Sequence, residues 1–281
     1  MAPRIPKVIV MWRPQLLLFL AFATLVSSFA PLAPSAARGQ IVEEDEGESV
    51  KIVAANPDKS DDSLDLAEVA REIVSRTNRF RRKQDRRAVR VDPQLAETAQ
   101  YFADFMARTD KYGHHADGNG PAERATQHAY DYCIVSENIA YQFNSAGFTT
   151  EELAKGFFQG WKHSPGHRKN MLDSDVVETG VAVARSDESG YYYAVQMFGR
   201  PESKRIEFQI TNQSNAVIEY DLGGKTFPLP PRLTRTHHRC RPAELIIQWP
   251  EEQESTALQP SRGGHYTIVR QDSGKLRVRQ D

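Results

Sequence analysis

The apolar periodicity of this chain changes at Pro201, and that change limits the fold more than any other feature. Before it, apolar residues recur at helical spacing. Leu66, Val69, Ala70, Ile73, Thr77 and Phe80 form one stripe; Leu95, Ala99, Phe102 and Met106 form a second; Leu153, Phe157 and Trp161 form a third. Asp92-Pro93 marks the start of the second helix, and Thr149 with Glu152 gives the third a capping box. "CIVSENIAYQF" reads as a short strand. "TGVAVARSDESGYYYAVQMFG" holds two alternating runs around Asp187–Gly190, the pattern of a β-hairpin. Helices, strand, helix and hairpin in that order predict an α+β unit, an antiparallel sheet covered by helices. After Pro201 no helical period of useful length remains. "RIEFQITN", "AVIEYDL", "KTFPLP", "RLTRTHHR", "AELIIQW", "HYTIVR" and "KLRVRQ" are short alternating runs, several separated by turn signals. They predict a small β-sandwich or barrel over Ser203–Asp281.

The N-terminus adds two further segments. Arg4, Lys7 and Arg13 precede the apolar run Leu16–Ala30, and small residues follow at Ser35, Ala36 and Ala37. That is the layout of a secretory signal over residues 1–37, too short in its apolar part for a spanning helix. The alternative is an uncleaved anchor. Residues 38–62 are acidic and poor in large apolar side chains, as a flexible linker is. The expected organisation is therefore signal (1–37), linker (38–62), a helix-and-sheet domain (63–200) and an accessory β domain (203–281). The chain's net charge of −1 gives no pointer to nucleic acid or to a membrane surface. Its two cysteines, Cys133 and Cys240, lie in different expected domains. Export permits a bridge between them, and two buried thiols satisfy the sequence equally well. "RFRRKQDRR" is either a solvated helix end or a seat for an anionic polymer or lipid head group. Asn212-Gln213-Ser214 matches the glycosylation sequon, a common tripeptide.

The polar chemistry is concentrated in three stretches of the first domain. In "WKHSPGHRKNML" two histidines stand four apart, the spacing of a helical ligand pair. Pro165 breaks that reading, because proline and the residue before it both oppose a continuous helix. One helix is expected to end near His163 and another to start at Ser164, with the Ser164 hydroxyl capping the amide of His167 or Arg168. His163 and His167 then sit on different elements. A nucleophilic role for Ser164 would need a strained elbow that its surroundings lack. The other two stretches are "KYGHHADG" and "SENIAY". Asn138 is expected to fix a turn beside Glu137, His115 and His163 to lie on a rim, and Trp161 and Phe198 to be core.

Taken together, "NRFR", the "YGH" segment, "SENIA", "W..SPGHRKNML" and "TGVAV…YYYAVQMFG" resemble the CAP superfamily of cysteine-rich secretory, antigen five and pathogenesis-related proteins, and its bacterial branch in particular. The resemblance covers about residues 66–200 and leaves the C-terminal region unassigned. It implies an α-β-α sandwich with a cleft lined by two histidines and two acidic residues. The histidines fall on His114 and His167 and the first glutamate on Glu137. The second glutamate falls on Ser164, a departure that weakens any mechanism needing two carboxylates. His114 and His167 are the candidate metal ligands, for zinc or another divalent ion with water at the open positions. Glu137 would orient an imidazole or act as base on bound water. No residue is assigned as catalytic; His114, Glu137 and His167 are the candidates, and Ser164 and Asn138 are the expected contacts of a cofactor or ligand. The resemblance implies a secreted, periplasmic or cell-surface protein binding a lipid, peptide or cell-surface polymer. It implies neither nucleic-acid binding nor stable membrane insertion after signal removal. The alternatives are a metal-assisted hydrolase and a structural cell-envelope module.

Overall fold

A computed structural model describes residues 64–250 and 254–280, with two short paired strands, β1 (Glu43–Glu44) and β2 (Glu48–Ser49), upstream. The expected signal segment and most of the expected linker lie outside the described residues. Helix α1 (Leu66–Lys83) starts at Asp65, whose carboxylate accepts from the amides of Ala67 and Glu68. Strand β3 (Arg90–Val91) leads into α2 (Pro93–Thr109), capped by Asp92 as its sequence predicts. Then come α3 (Pro121–Gln127), β4 (Tyr132–Gln142), α4 (Thr150–His163) and α5 (Pro165–Leu172). The Thr149–Glu152 capping box opens α4. Strands β5 (Glu178–Arg185) and β6 (Tyr192–Pro201) form the expected hairpin, with Gly190 at φ +74° supplying the left-handed turn residue.

The sheet runs in the order β3-β5-β6-β4. Alternation along the strands sends odd and even residues to opposite faces. Ala182, Ala184, Tyr193, Val195 and Met197 face α2 and α3, and Val183, Ala194 and Phe198 face α1, α4 and α5. The result is an α-β-α sandwich with one apolar core on each face. Val69, Ile73 and Phe80 of the α1 stripe are buried, as are Trp161 and Phe198. Helix α2 lies so close to β5 that a Cβ on Gly180 would overlap the backbone at Leu95 and Ala96.

Beyond a single 3₁₀ turn (Glu202–Lys204), eight strands form a β-sandwich. They are β7 (Ile206–Asn212), β8 (Ile218–Leu222), β9 (Thr226–Leu229), β10 (Thr234–Arg239), β11 (Leu245–Gln248), β12 (Thr256–Leu258), β13 (Gly264–Arg270) and β14 (Leu276–Gln280). The sheets β10-β7-β13-β14 and β12-β11-β8-β9 enclose a third core that includes Phe208, Ile210, Tyr220, Ile247, Tyr266 and Ile268. Six of these strands fall within the predicted runs, and β13 starts one residue before its run. β12 is too short to carry a period, and the parallel pairing of β7 with β13 leaves no mark in either run.

Two readings left open by the sequence are decided here. Cys133 and Cys240 are bonded, with Cα atoms 5.2 Å apart, which excludes the free-thiol alternative. Arg241, next to Cys240, adds ion pairs to Asp173 and Asp175 at 2.8 and 2.6 Å. Asn212 is fully buried, and its amide donates to the carbonyls of Ala216 and Leu229, so the sequon cannot present it to a glycosylating enzyme.

Candidate functional site

Strand β4 is an edge strand that pairs only with β6 among the described residues. An open edge exposes main-chain groups that need partners. Here side chains supply them. The Ile139 carbonyl accepts from Trp161 Nε1 at 3.0 Å and from the Tyr112 hydroxyl at 3.3 Å. The Glu137 carbonyl accepts from Asn170 Nδ2 at 3.1 Å. The same edge is where the two helical layers meet, and the candidate residues come from both.

Glu137 points to the α2–α3 layer, on the face shared with Val135, Ile139 and Tyr141. It is buried, and its carboxylate forms a two-pronged ion pair with Arg124 of α3, at 2.9 Å to Oε1 and 2.8 Å to Oε2. Oε1 also lies 2.8 Å from His114 Nδ1, in the loop between α2 and α3. Arg124 is fully buried. It donates further to Asp117 Oδ1 at 2.8 Å and to the carbonyls of Asn119 and His114, and its guanidinium sits 3.5 Å from the centre of the Phe102 ring. One arginine therefore fixes both the carboxylate that holds the His114 ring and the main chain of His114 itself. The sequence reading missed this residue. "PAERATQHA" reads only as a short helix after a glycine-containing loop, and a charged side chain carries no local sign that it will be buried.

Asn138 points the other way, to the α4–α5 layer. It is fully buried; its Nδ2 donates to the His167 carbonyl at 3.3 Å and its Oδ1 accepts from Asn170 Nδ2 at 2.9 Å. It therefore fastens α5 to the sheet instead of fixing a turn beside Glu137. Asn170, also absent from the sequence reading, completes that link. His167 lies in the first turn of α5, as expected, and His163 ends α4. Burial, and then the charge of His114 across the strand edge, push the His167 imidazole down to about 4. His167 is therefore neutral at physiological pH. Ser164 has extended N-cap geometry, at φ −81° and ψ 122°, but its hydroxyl makes no capping bond. The Arg168 amide bonds instead to the Ser164 carbonyl at 2.8 Å, the first bond of the helix.

The arrangement offers two imidazoles, one held through Nδ1 and one kept neutral. As a metal centre it is sparse. No group of three or more histidine, cysteine, aspartate or glutamate side chains suited to a metal exists among the described residues. Glu137 could not become a third ligand without releasing Arg124 or His114. A groove of about 1160 Å³ lies elsewhere, between α1 and α2 along the free side of β5, lined by Leu66, Ala70, Ala107, Val181 and Val183 among others. It is at the opposite edge of the sheet from His114 and His167.

The sequence pattern of the CAP family, described as the cysteine-rich secretory protein family, matches residues 74–198. This region is a CAP domain. The CAP match takes in α1 from its middle, both helical layers and the four-stranded sheet up to Phe198 in β6, and stops before the β-sandwich. Two Bacillus subtilis proteins are similar over about half of this chain. The uncharacterised protein YkwD is 28% identical over 131 residues, 46% of this chain and 47% of its own length. The uncharacterised membrane protein YlbC is 29% identical over 140 residues, 50% of this chain and 38% of its own. The chain thus spans less than half the length of either relative. Among solved structures, an outer surface protein of Borrelia burgdorferi is 18% identical, with a TM-score of 0.42 over 50% of this chain and 97% of that one. An extracellular protein with an SCP domain from Bacillus anthracis is 24% identical, with a TM-score of 0.40 over 48% of this chain and 41% of that one.

Proposed function

We propose that this is an exported CAP-domain protein whose cleft at the β4 edge binds a peptide or another cell-surface ligand through His114 and His167. One observation carries the reading. Both oxygens of Glu137 are engaged by Arg124, and one of them also by His114. A metal-assisted hydrolase would use Glu137 as base on bound water; a carboxylate locked in a buried ion pair serves instead to hold an imidazole. His114 and the neutral His167 are then hydrogen-bonding groups presented to a ligand. A divalent metal would have only these two nitrogens, so no metal-dependent step is part of the proposal. Export is supported by the N-terminal basic, apolar and small-residue sections and by the Cys133–Cys240 bridge, which is at home in an oxidising compartment. Mass spectrometry of the exported protein should find a mature chain starting near Arg38; a retained Met1–Ala30 would refute it.

The test of the cleft is a double substitution, His114→Ala with His167→Ala. Wild type and variant are titrated with zinc, with solubilised cell-wall peptides and with phospholipid micelles, and both are melted. The expected result is that the peptides bind wild type and not the variant, while the variant stays folded. Equal binding by both proteins, or binding of micelles alone, would refute the reading. Hydrolysis of the peptides by zinc-loaded wild type would return the site to the hydrolase class.

A further inference from the structure

The arginine-rich end of α1 does not stand alone in the fold. Residues 79–87 and 162–169 together hold nine lysines and arginines and one acid, Asp85, a net of +8 in a chain whose total is −1. Positive charge is therefore concentrated on these two stretches, and the rest of the chain is net negative. The structure brings them together at the ring of Phe80: Arg168 lies 4.7 Å from its centre and Lys162 5.7 Å. Arg168 also donates to Gln84 Oε1 at 3.2 Å, and Arg86 to the Leu172 carbonyl at the end of α5.

Helix ends account for part of this charge. Arg82 and Lys83 lie in the last turn of α1 and Lys162 in the last turn of α4, where cations meet the negative end of the helix dipole. Arg81 is buried and spent on the carbonyls of Arg87, Met171 and Asp173. That leaves more cations than the helix ends require. Arg79, Arg82, Lys83, Arg86, Arg87 and Lys169 are exposed, and neither these nor Lys162 and Arg168 take part in an ion pair among the described residues. Like charges held on one face repel, and a multivalent anion relieves that repulsion while releasing its own counterions.

We propose that this face, made by the end of α1, the loop after it and the start of α5, binds an anionic polymer of the cell envelope, a chain bearing repeated phosphate or sulfate groups. The arginines suit such groups because the guanidinium fork takes two oxygens at once. The patch shares helix α5 with His167, and the proposal does not depend on a ligand at His114 or His167.

The probes are dextran sulfate, neutral dextran and vesicles with and without anionic lipid. The patch variant is Arg82→Gln, Lys83→Gln, Arg87→Gln and Lys169→Gln, whose side chains make no described contact. The charge-matched control is Lys111→Gln, Lys155→Gln, Lys204→Gln and Arg277→Gln. Wild type and control should bind dextran sulfate and not neutral dextran. The patch variant should lose about tenfold or more at about 0.1 M salt, and the slope of log affinity against log salt should fall by about one for each cation that contacted the polymer. Unchanged binding by the patch variant would overturn the proposal, as would an equal loss in the control. Binding to anionic vesicles without binding to dextran sulfate would also overturn it, in favour of a membrane surface.

Discussion

Replacing Arg124 with methionine should cost the protein about 3–5 kcal/mol, a large share of the stability of an ordinary domain. Methionine keeps much of the apolar stem and removes the charged head, including the guanidinium that lies over Phe102. The loss follows from what that head touches. Glu137 loses both bonds of its ion pair, and Asp117 loses its 2.8 Å partner; the two carboxylates are 0% and 1% exposed. A buried charge left without its partner is the expensive case, whereas removing both members together is cheaper. The carbonyls of Asn119 and His114 also lose a donor. Urea unfolding of four proteins measures this: wild type, Arg124→Met, Glu137→Gln, and the double variant. The double variant should be more stable than the sum of the single losses by about 1–3 kcal/mol, and adding Asp117→Asn should recover more. An Arg124→Met loss below about 1 kcal/mol, or additivity within about 0.5 kcal/mol, would refute the claim that one buried arginine organises this side of the cleft.

Other consequences can be tested in the same way. The Cys133–Cys240 bridge closes a loop of 107 residues, so Cys133→Ser with Cys240→Ser should lower stability by about 2–5 kcal/mol, read as a fall in melting temperature that reductant reproduces in wild type. In that reduced or substituted protein, limited proteolysis between Gly199 and Arg205 should release a stable CAP-domain fragment; cuts confined to residues 63–198 would argue against two folding units. His167 has its folded pKa lowered from 6.5 to about 4. Its contribution to stability is therefore fully present above about pH 6.5 and is lost as pH falls towards 4, and His167→Gln should flatten the stability–pH curve in that window. Gly180→Ala should destabilise by about 3 kcal/mol or more, because the atoms in the way are backbone and cannot rotate aside; a change under about 1 kcal/mol in thermal unfolding would show that α2 shifts freely.

The sequence by itself determined the elements and the motifs they carry. Asp92 before Pro93 and Thr149 with Glu152 start their helices because a cap acts on amides two or three residues away. The apolar stripe of α1 and the alternating runs of β5 and β6 report which face each element buries, again from near neighbours. His114, Glu137 and His167 are legible because their motifs stand in a fixed order that resembles the CAP family. Tertiary structure decided the partners. Arg124 in its short helix and Asp117 in the loop before it look like any surface residues until α3 folds against the edge of β4. Asn138 is turned from a turn residue into an anchor by one step of strand alternation, which sends it to α5 while Glu137 faces α3. The Ser164 hydroxyl, locally a sound cap, goes unused. Cys133 finds Cys240 only because the sandwich packs beside β4. Caps and periods are energies of short separation, written in adjacent residues. The choice of partner for a buried charge, amide or thiol is an energy of contact between distant segments, and it exists only once the layers have packed.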